Sequence, residues 1–269
     1  MPELPEVEVT RRGLSRRLAG RRISAVEVRE PRLRWRVPAA VSKLPGRTVR
    51  AVRRRGKYLL LDCGDGEIIM HLGMSGSLRV LPAGTAPGPH DHVDLVLGDR
   101  LLRLRDPRRF GAVLWSPAGS APHRLLAHLG VEPLSRALDG AKLHALTRGL
   151  RAPVKHMIMD ARRVVGVGNI YASEALHRAR IDPRTPAGRL SRARCERLAQ
   201  AIKDTLREAI RAGGASLRDF VGSDGVYGCF QTRARVYDRA GQPCRRCGTV
   251  VRRIVQGQRS TYFCPACQR

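Results

Sequence analysis

The sequence predicts an α+β protein: an N-terminal antiparallel β-sandwich flanked by helices, then a helical domain, then a small β-hairpin closed by four cysteines. Three observations predict it. Short β-rich runs separated by Asp-Gly and Gly-Asp pairs crowd residues 23–115. Leu198, Ile202, Leu206 and Ile210 recur every fourth residue farther on, as one face of a helix does. Four cysteines then bracket a final β-rich run.

The chain has 269 residues, which suits two compact domains with a small appendage, since domains run about 100 to 200 residues. We place them at 2–120, 121–230 and 231–269. In the first, Leu4, Val7, Leu14 and Leu18 mark one face of a short helix over 5–18. Strands are expected at 48–54, 58–62, 67–72, 77–81, 92–97, 101–105 and 110–115, with Asp65-Gly66 and Gly98-Asp99 as hairpin turns. That many short strands point to an antiparallel sandwich. Pro117 to Pro122 ends the β pattern. The clearest later helix spans 191–210, with Ser191 as N-cap and Gly213-Gly214 as its stop. The Gly-, Ser- and Asp-rich stretch from Gly213 to Phe230 reads as a mobile loop.

Charge narrows the function. Lys+Arg number 51 against 23 Asp+Glu, a formal net charge of +28, and such an excess draws polyanions from solution. Nucleic acid leads over an anionic membrane, because no basic amphipathic helix with a Trp/Phe/Leu face appears. No apolar run approaches the roughly 20 residues of a membrane helix. The acidic start, with Glu3, Glu6 and Glu8, is unlike a signal peptide, and a soluble intracellular protein is expected.

Four of the seven cysteines fall as Cys244-x2-Cys247-x16-Cys264-x2-Cys267. Paired thiolates two residues apart can be aimed at one ion by a tight turn, and four of them suit tetrahedral Zn2+. Two disulfides are the alternative; the odd cysteine total and lack of an export signal count against it. The run between the pairs reads as a hairpin with Gln256-Gly257-Gln258 at its tip. Cys63, Cys195 and Cys229 have no partner spacing and read as small core or surface residues.

Six further blocks carry a resemblance. They are Met1-Pro2-Glu3-Leu4-Pro5-Glu6-Val7-Glu8, Gly56-Lys57-Tyr58-Leu59, His71-Leu72-Gly73-Met74-Ser75-Gly76, Asp106-Pro107-Arg108-Arg109-Phe110-Gly111, the run from Gly166 to Glu174, and Gln258-Arg259-Ser260-Thr261. Together with the four cysteines and in this order, they resemble the formamidopyrimidine-DNA glycosylase family, bacterial repair enzymes that excise oxidised purines. The resemblance implies a bifunctional DNA glycosylase and AP lyase, acting on double-stranded DNA that contains oxidised bases, with one structural Zn2+ held by the four cysteines. It further implies a cytoplasmic, nucleoid-associated monomer with no membrane partner. The helical region would hold a helix-two-turn-helix, its first helix near 153–160 and its second from Asn169.

The residues themselves allow this chemistry. An initiator Met before a small Pro is expected to be removed, leaving Pro2 as a free secondary amine with an α-amino pKa near 8. Attack on a sugar C1′ displaces the base and leaves an iminium that acidifies the C2′ protons, so elimination can follow. Taken alone, Pro2 and Pro5 equally open a helix. Glu3 stands beside that amine and suits proton transfer; Glu6 organises the N-terminus or serves as a first-turn carboxylate. Lys57 is one of only five lysines, and an ammonium can give up a proton where a guanidinium does not.

By resemblance Lys57 assists β-elimination and Arg259 clamps the flanking phosphate and is assigned to δ-elimination. Met74, Arg108 and Phe110 match an insertion trio that fills the hole left by a flipped base; blind to the resemblance, Met74 and Phe110 read as core. His90, Arg109, Arg151, Lys155 and Asn169 correspond to further DNA contacts. Two other classes remain in play: an endonuclease VIII-like glycosylase for oxidised pyrimidines, whose usual Pro-Glu-Gly-Pro-Glu opening differs from Pro2-Glu3-Leu4-Pro5-Glu6, and a non-catalytic damage-binding protein, which would lose Pro2, Glu3 or Lys57.

Overall fold

A computed structural model describes residues 2–215 and 230–269, the side chain of Gln231 excepted. Its described residues fall into two compact units, 2–127 with 212–215 and 128–211 with 230–269.

In the first unit, helix α1 (Leu4–Leu18) starts from a capping box in which Glu3 is the N-cap and Glu6 the reciprocal partner. Leu4, Val7, Leu14 and Leu18 are all buried, as their spacing predicts. Eight strands follow: β1 (Ala25–Val28), β2 (Ala51–Arg55), β3 (Tyr58–Asp62), β4 (Gly66–His71), β5 (Ser77–Pro82), β6 (Asp91–Leu97), β7 (Arg100–Arg105) and β8 (Ala112–Pro117). They form two antiparallel sheets, ordered β1-β6-β7-β5 and β2-β3-β4-β8. Leu59, Leu61, Ile68 and Met70 of one sheet join Leu78, Val93, Leu95, Leu102 and Leu104 of the other in one core, closed by α1. The opposite face of the second sheet is covered too: Leu60, Ile69 and Leu114 meet Leu125 and Leu126 of α2 (Arg124–Ala127), which explains the unbroken apolar run of β3.

Four details depart from the sequence reading. β1 joins the predicted strands, its pattern obscured because most of its residues are only half-buried. The β3–β4 turn uses Gly64, at φ +88°, rather than Gly66; a Cβ on Gly66 would lie 2.4 Å from the Trp115 ring, so that glycine serves packing. β8 begins at Ala112, leaving Phe110 outside the sheet. In the hairpin described below, Gln256 pairs with Arg259, so the turn is Gly257-Gln258 alone. The Gly98-Asp99 turn is as expected, joining the paired residues Leu97 and Arg100.

The second unit holds α3 (Gly140–Thr147), α4 (Val154–Met159), α5 (Asn169–Ala179), α6 (Arg192–Arg211), α7 (Phe230–Arg233) and the hairpin β9 (Arg252–Gln256) with β10 (Arg259–Phe263). The predicted α6 stripe is buried, Cys195 extends it, and Ser191 Oγ accepts the Arg194 N–H. Gly213 and Gly214 follow at φ +77° and +84°, a left-handed stop. From 216 to 229 the expected loop, with Cys229, lies outside the described residues. Buried Glu174 on α5 accepts the backbone N–H groups of Arg235, Val236 and Tyr237 at 2.9, 2.9 and 2.8 Å. Gly257 and Gln258 both take positive φ, +53° and +63°, the primed turn whose twist suits a tight hairpin. Among the described residues, no helix is long and apolar enough to cross a membrane.

Candidate functional site

The N-terminus of α1 is buried. Pro2 lies below the surface, Glu3 is 3% exposed and Glu6 fully buried. One Glu6 carboxylate oxygen accepts the Glu3 backbone N–H at 2.7 Å and the other accepts the Ala215 N–H at 2.8 Å. Gly214 comes so close that a Cβ there would meet Glu6 Oε1 at 2.9 Å. A single carboxylate therefore fixes both the start of the chain and the entry to the segment after 215. The capping box takes amides at the start of α1 that have no partner within the helix, and the helix dipole there favours anionic groups.

Lys57 follows Gly56 in the two-residue β2–β3 turn, and Gly56 takes φ +58° as the first turn position of a II′-type hairpin requires. Across the strands the Tyr58 and His71 rings meet at 4.8 Å. His71 Nδ1 accepts the Gly73 backbone N–H at 3.0 Å, so the ring carries its proton on Nε2. Burial, then the Lys57 and Arg34 charges, push its pKa down to about 4. His71 is therefore a neutral donor at physiological pH. An unfolded histidine takes up its proton near pH 6.5 whereas this one resists to about 4, so it withdraws stability as pH falls through that window and is neutral in effect above it. Imidazole 15N spectra are expected to show the Nε2–H tautomer unchanged from pH 8 to 5; a transition near 6.5 would contradict the geometry.

His71, Met74, Arg108, Arg109 and Phe110 share an open cleft of about 730 Å3 with Arg32, Leu33, Arg34 and Gly73. Met74 and Phe110 are 40% and 42% exposed, so neither is a core residue. The Arg108 guanidinium lies 4.9 Å above the Phe110 ring, a cation–π contact. Arg109, at φ +55°, reaches Glu30 at 3.2 Å; His90, at φ +70°, is exposed and its carbonyl accepts the Asp106 N–H. Arg109 lines the cleft and His90 is tied to Asp106; two non-glycine residues in the left-handed region mark backbone held by its surroundings.

What holds it is Asp106, a residue for which sequence reading gives no role. Fully buried, its carboxylate accepts the Ser75 hydroxyl at 2.8 Å, the Gly111 N–H at 2.7 Å and the Arg108 N–H at 3.3 Å. Ser75 follows Met74 and Gly111 follows Phe110, so one carboxylate joins both loops of the cleft. Gly73, at φ +61°, lets the loops touch: a Cβ there would lie 2.4 Å from the Phe110 carbonyl carbon. Asp106→Asn replaces an all-acceptor group by one that donates, and loss of charged hydrogen bonds of this kind costs about 1.5 to 3 kcal/mol. Reduced thermal stability by that amount and a loss of kcat/KM beyond it are expected, read by calorimetry and single-turnover kinetics; an unchanged melting temperature would remove Asp106 from this role.

In the second unit, Lys155, expected among the DNA contacts, is only 1% exposed. Its ammonium donates to Asn169 Oδ1 at 2.6 Å, Thr261 Oγ1 at 2.6 Å and the Ser260 carbonyl at 3.2 Å. Its three donors are spent within the protein, so it is a pin between α4, the start of α5 and β10 rather than a direct contact. Asn169 also donates to the Ser260 carbonyl, at 2.9 Å. This ties the hairpin to the N-terminus of α5 and leaves Arg259, the residue before Ser260, exposed; Arg151 is also exposed. Gly257 lies against α4, where a Cβ would be 3.0 Å from His156 Nε2.

The sulfurs of Cys244, Cys247, Cys264 and Cys267 all lie within 4.8 Å of one another. Separations of 3.4, 3.5 and 4.0 Å bracket the ~3.8 Å edge of a tetrahedron with Zn–S near 2.3 Å. The four converge on one point and fit one structural Zn2+. His177 Nε2 lies 3.5 Å from Cys244 Sγ, a supporting contact typical of thiolate ligands.

The class this fold and these groups define is a basic scaffold with a four-cysteine zinc site, a buried Pro2-Glu3 start and an exposed apolar pair, Met74 and Phe110, on a cleft. Three family models match successive parts of the chain: the formamidopyrimidine-DNA glycosylase N-terminal domain over residues 1–113, the H2TH domain of the same family over 129–221, and the zinc finger found in FPG and IleRS over 241–269. The chain belongs to the formamidopyrimidine-DNA glycosylase family. It is 60% identical to a protein of that name from Burkholderia cenocepacia and 58% identical to one from Cupriavidus pinatubonensis, each covering 100% of both chains. Among solved structures it is similar to the MutM (Fpg) protein of Thermus thermophilus, with a TM-score of 0.90, 41% identity and 99% and 98% of the two chains covered. The Lactococcus lactis Fpg complex with Fapy-dG containing DNA matches with a TM-score of 0.90, 32% identity and coverage of 99% and 100%.

Proposed function

We propose that this chain is a bifunctional DNA glycosylase and AP lyase that removes oxidised purines, 8-oxoguanine and formamidopyrimidines, through the amine of Pro2 with β,δ-elimination. The observation that carries it is the buried N-terminus, where Pro2 and Glu3 are anchored by a doubly engaged Glu6. With Met1 removed, the Pro2 nitrogen attacks C1′ and the base departs with a proton. The resulting iminium withdraws electrons from C2′; a C2′ proton leaves and the 3′ phosphate is expelled, after which δ-elimination expels the 5′ phosphate. Glu3 handles protons at the sugar, Lys57 assists the first elimination, and Arg259 holds phosphate.

Met74, Arg108 and Phe110 fill the space of the flipped base, with Phe110 as wedge. His90, Arg109, Arg151 and Asn169 contribute further contacts to the duplex; Lys155 contributes by holding Asn169. The zinc hairpin supports Arg259. Such a protein works as a cytoplasmic, nucleoid-associated monomer.

Borohydride is expected to trap a covalent adduct on an 8-oxoguanine duplex, and Pro2→Gly or retained Met1 to weaken it sharply. No adduct from correctly processed protein on any oxidised-purine duplex would end this reading. One comparison favours a second: the wild-type Lactococcus lactis protein is also solved with an oxidized pyrimidine containing DNA. Faster excision of thymine glycol than of 8-oxoguanine paired with cytosine would put this chain in the pyrimidine class.

A further inference from the structure

A second basic feature lies in the unit that carries the zinc hairpin. Arg233, Arg235, Arg245 and Arg246 surround a cavity of about 580 Å3, together with His177 and Glu208. Arg245 and Arg246 are the two residues between Cys244 and Cys247, so the zinc loop fixes their backbone. The Glu174 carboxylate holds the backbone N–H of Arg235 at 2.9 Å, and the Arg245 guanidinium donates to the Thr232 carbonyl at 3.0 Å. These arginines stand on an organised frame.

Among the described residues their charge is compensated only in part, by Glu208 in the same wall. Some arginines elsewhere do meet carboxylates, such as Arg103 with Asp94, Arg47 with Asp65 and Arg184 with Asp182. Among the described residues none of these four arginines is in an ion pair, and Glu208 is already paired with Arg178. Four like charges around one cavity repel, and a multiply charged anion relieves that cost. Guanidinium forks match phosphate oxygens in pairs, and exposed arginines at several points suit phosphates in series. The cavity is also separate from the anchor at the start of α5. His177 lies about two turns farther along that helix than Asn169, roughly 12 Å of rise.

We propose that this arginine-walled cavity beside the zinc loop binds the sugar–phosphate backbone of a second DNA segment while the lesion-bearing duplex is engaged. The proposal rests on the DNA-repair reading above. The site supplies a sequence-independent, salt-sensitive grip, suited to transfer between neighbouring segments.

The test saturates zinc-loaded protein with a short duplex carrying an uncleavable abasic analogue, then titrates in a labelled undamaged duplex. Saturation itself tests the DNA reading; the second titration tests this site. Capture of the second duplex is expected at roughly micromolar Kd in low salt, with log K falling by about 0.9 per log salt for each phosphate held. Arg245→Ser with Arg246→Ser is expected to weaken capture about tenfold and flatten the slope by about 2, with excision of a short 8-oxoguanine duplex unchanged. Arg233→Ser with Arg235→Ser, outside the zinc loop, is expected to do the same with full zinc content, which guards against a folding artefact. No capture by the saturated wild type, or equal capture by both double variants, overturns the proposal. So does tripolyphosphate binding that both variants lose while second-duplex capture stays equal, because the cavity would then serve free polyphosphate.

Discussion

Glu3→Gln is expected to lower single-turnover excision and nicking by about 10^2 to 10^4, the range for loss of a positioned acid–base group, while leaving the melting temperature nearly unchanged. The separation follows from geometry. Glu3 is the N-cap of α1 and shares a capping box with Glu6; a glutamine carbonyl keeps the acceptor that the box requires, and the Glu3 backbone N–H still reaches the Glu6 carboxylate. What is lost is the negative charge and the capacity to take up and release a proton. Parallel kinetics and calorimetry decide: equal losses in both would make Glu3 a structural cap, and unchanged kinetics would remove it from the chemistry.

Loss of the metal is expected to be the most damaging structural change. Cys264 is fully buried, and Gln268 spans from its backbone N–H to the Ile181 carbonyl, each at 2.8 to 2.9 Å. Structural zinc contributes about 10 kcal/mol or more in isolated fingers. Cys264→Ser or chelation also loosens Ser260 and Thr261, two acceptors of the buried Lys155 ammonium, and stripping partners from a buried charge costs about 3 to 5 kcal/mol more. The melting temperature is expected to drop by more than about 10 °C, with metal content falling from one zinc per chain and duplex affinity falling with it. A Cys264→Ser protein that melts like the wild type would mean the sulfurs do not carry the hairpin.

These two sites differ in how far the linear chain announces them. The Cys-x2-Cys pairs and the runs between them are local patterns, and the hairpin follows from them because a two-residue turn and strand alternation are decided within a few residues. The α1 and α6 stripes are legible for the same reason. Met74 and Phe110 are not: an exposed apolar side chain and a core residue share one composition. Phe110 is thrown outward because Asp106 takes the Gly111 N–H and folds the 106–111 turn before β8 can begin.

Lys155 makes the point in reverse. The resemblance to the family counts Lys155 among the DNA contacts. Its burial depends on acceptors 105 and 106 residues away on β10. His71, too, is simply part of a motif until the Gly73 amide sets its tautomer and burial, then the Lys57 and Arg34 charges, lower its pKa.

By itself the sequence determined the family, the cysteine set, the strands and helices with clear periodicity, and the chemical types at the N-terminus, since each is written in neighbouring residues. Tertiary structure alone decided which polar groups are spent inside the protein and which face outward. Glu6 reaches Ala215 across 209 residues, Asp106 reaches Ser75 across 31, and the arginines of the zinc loop meet those at and just beyond the end of α7 around one cavity. Hydrogen bonds and Coulomb forces act over a few ångströms of space, whatever the distance along the chain, so only the fold can assign them.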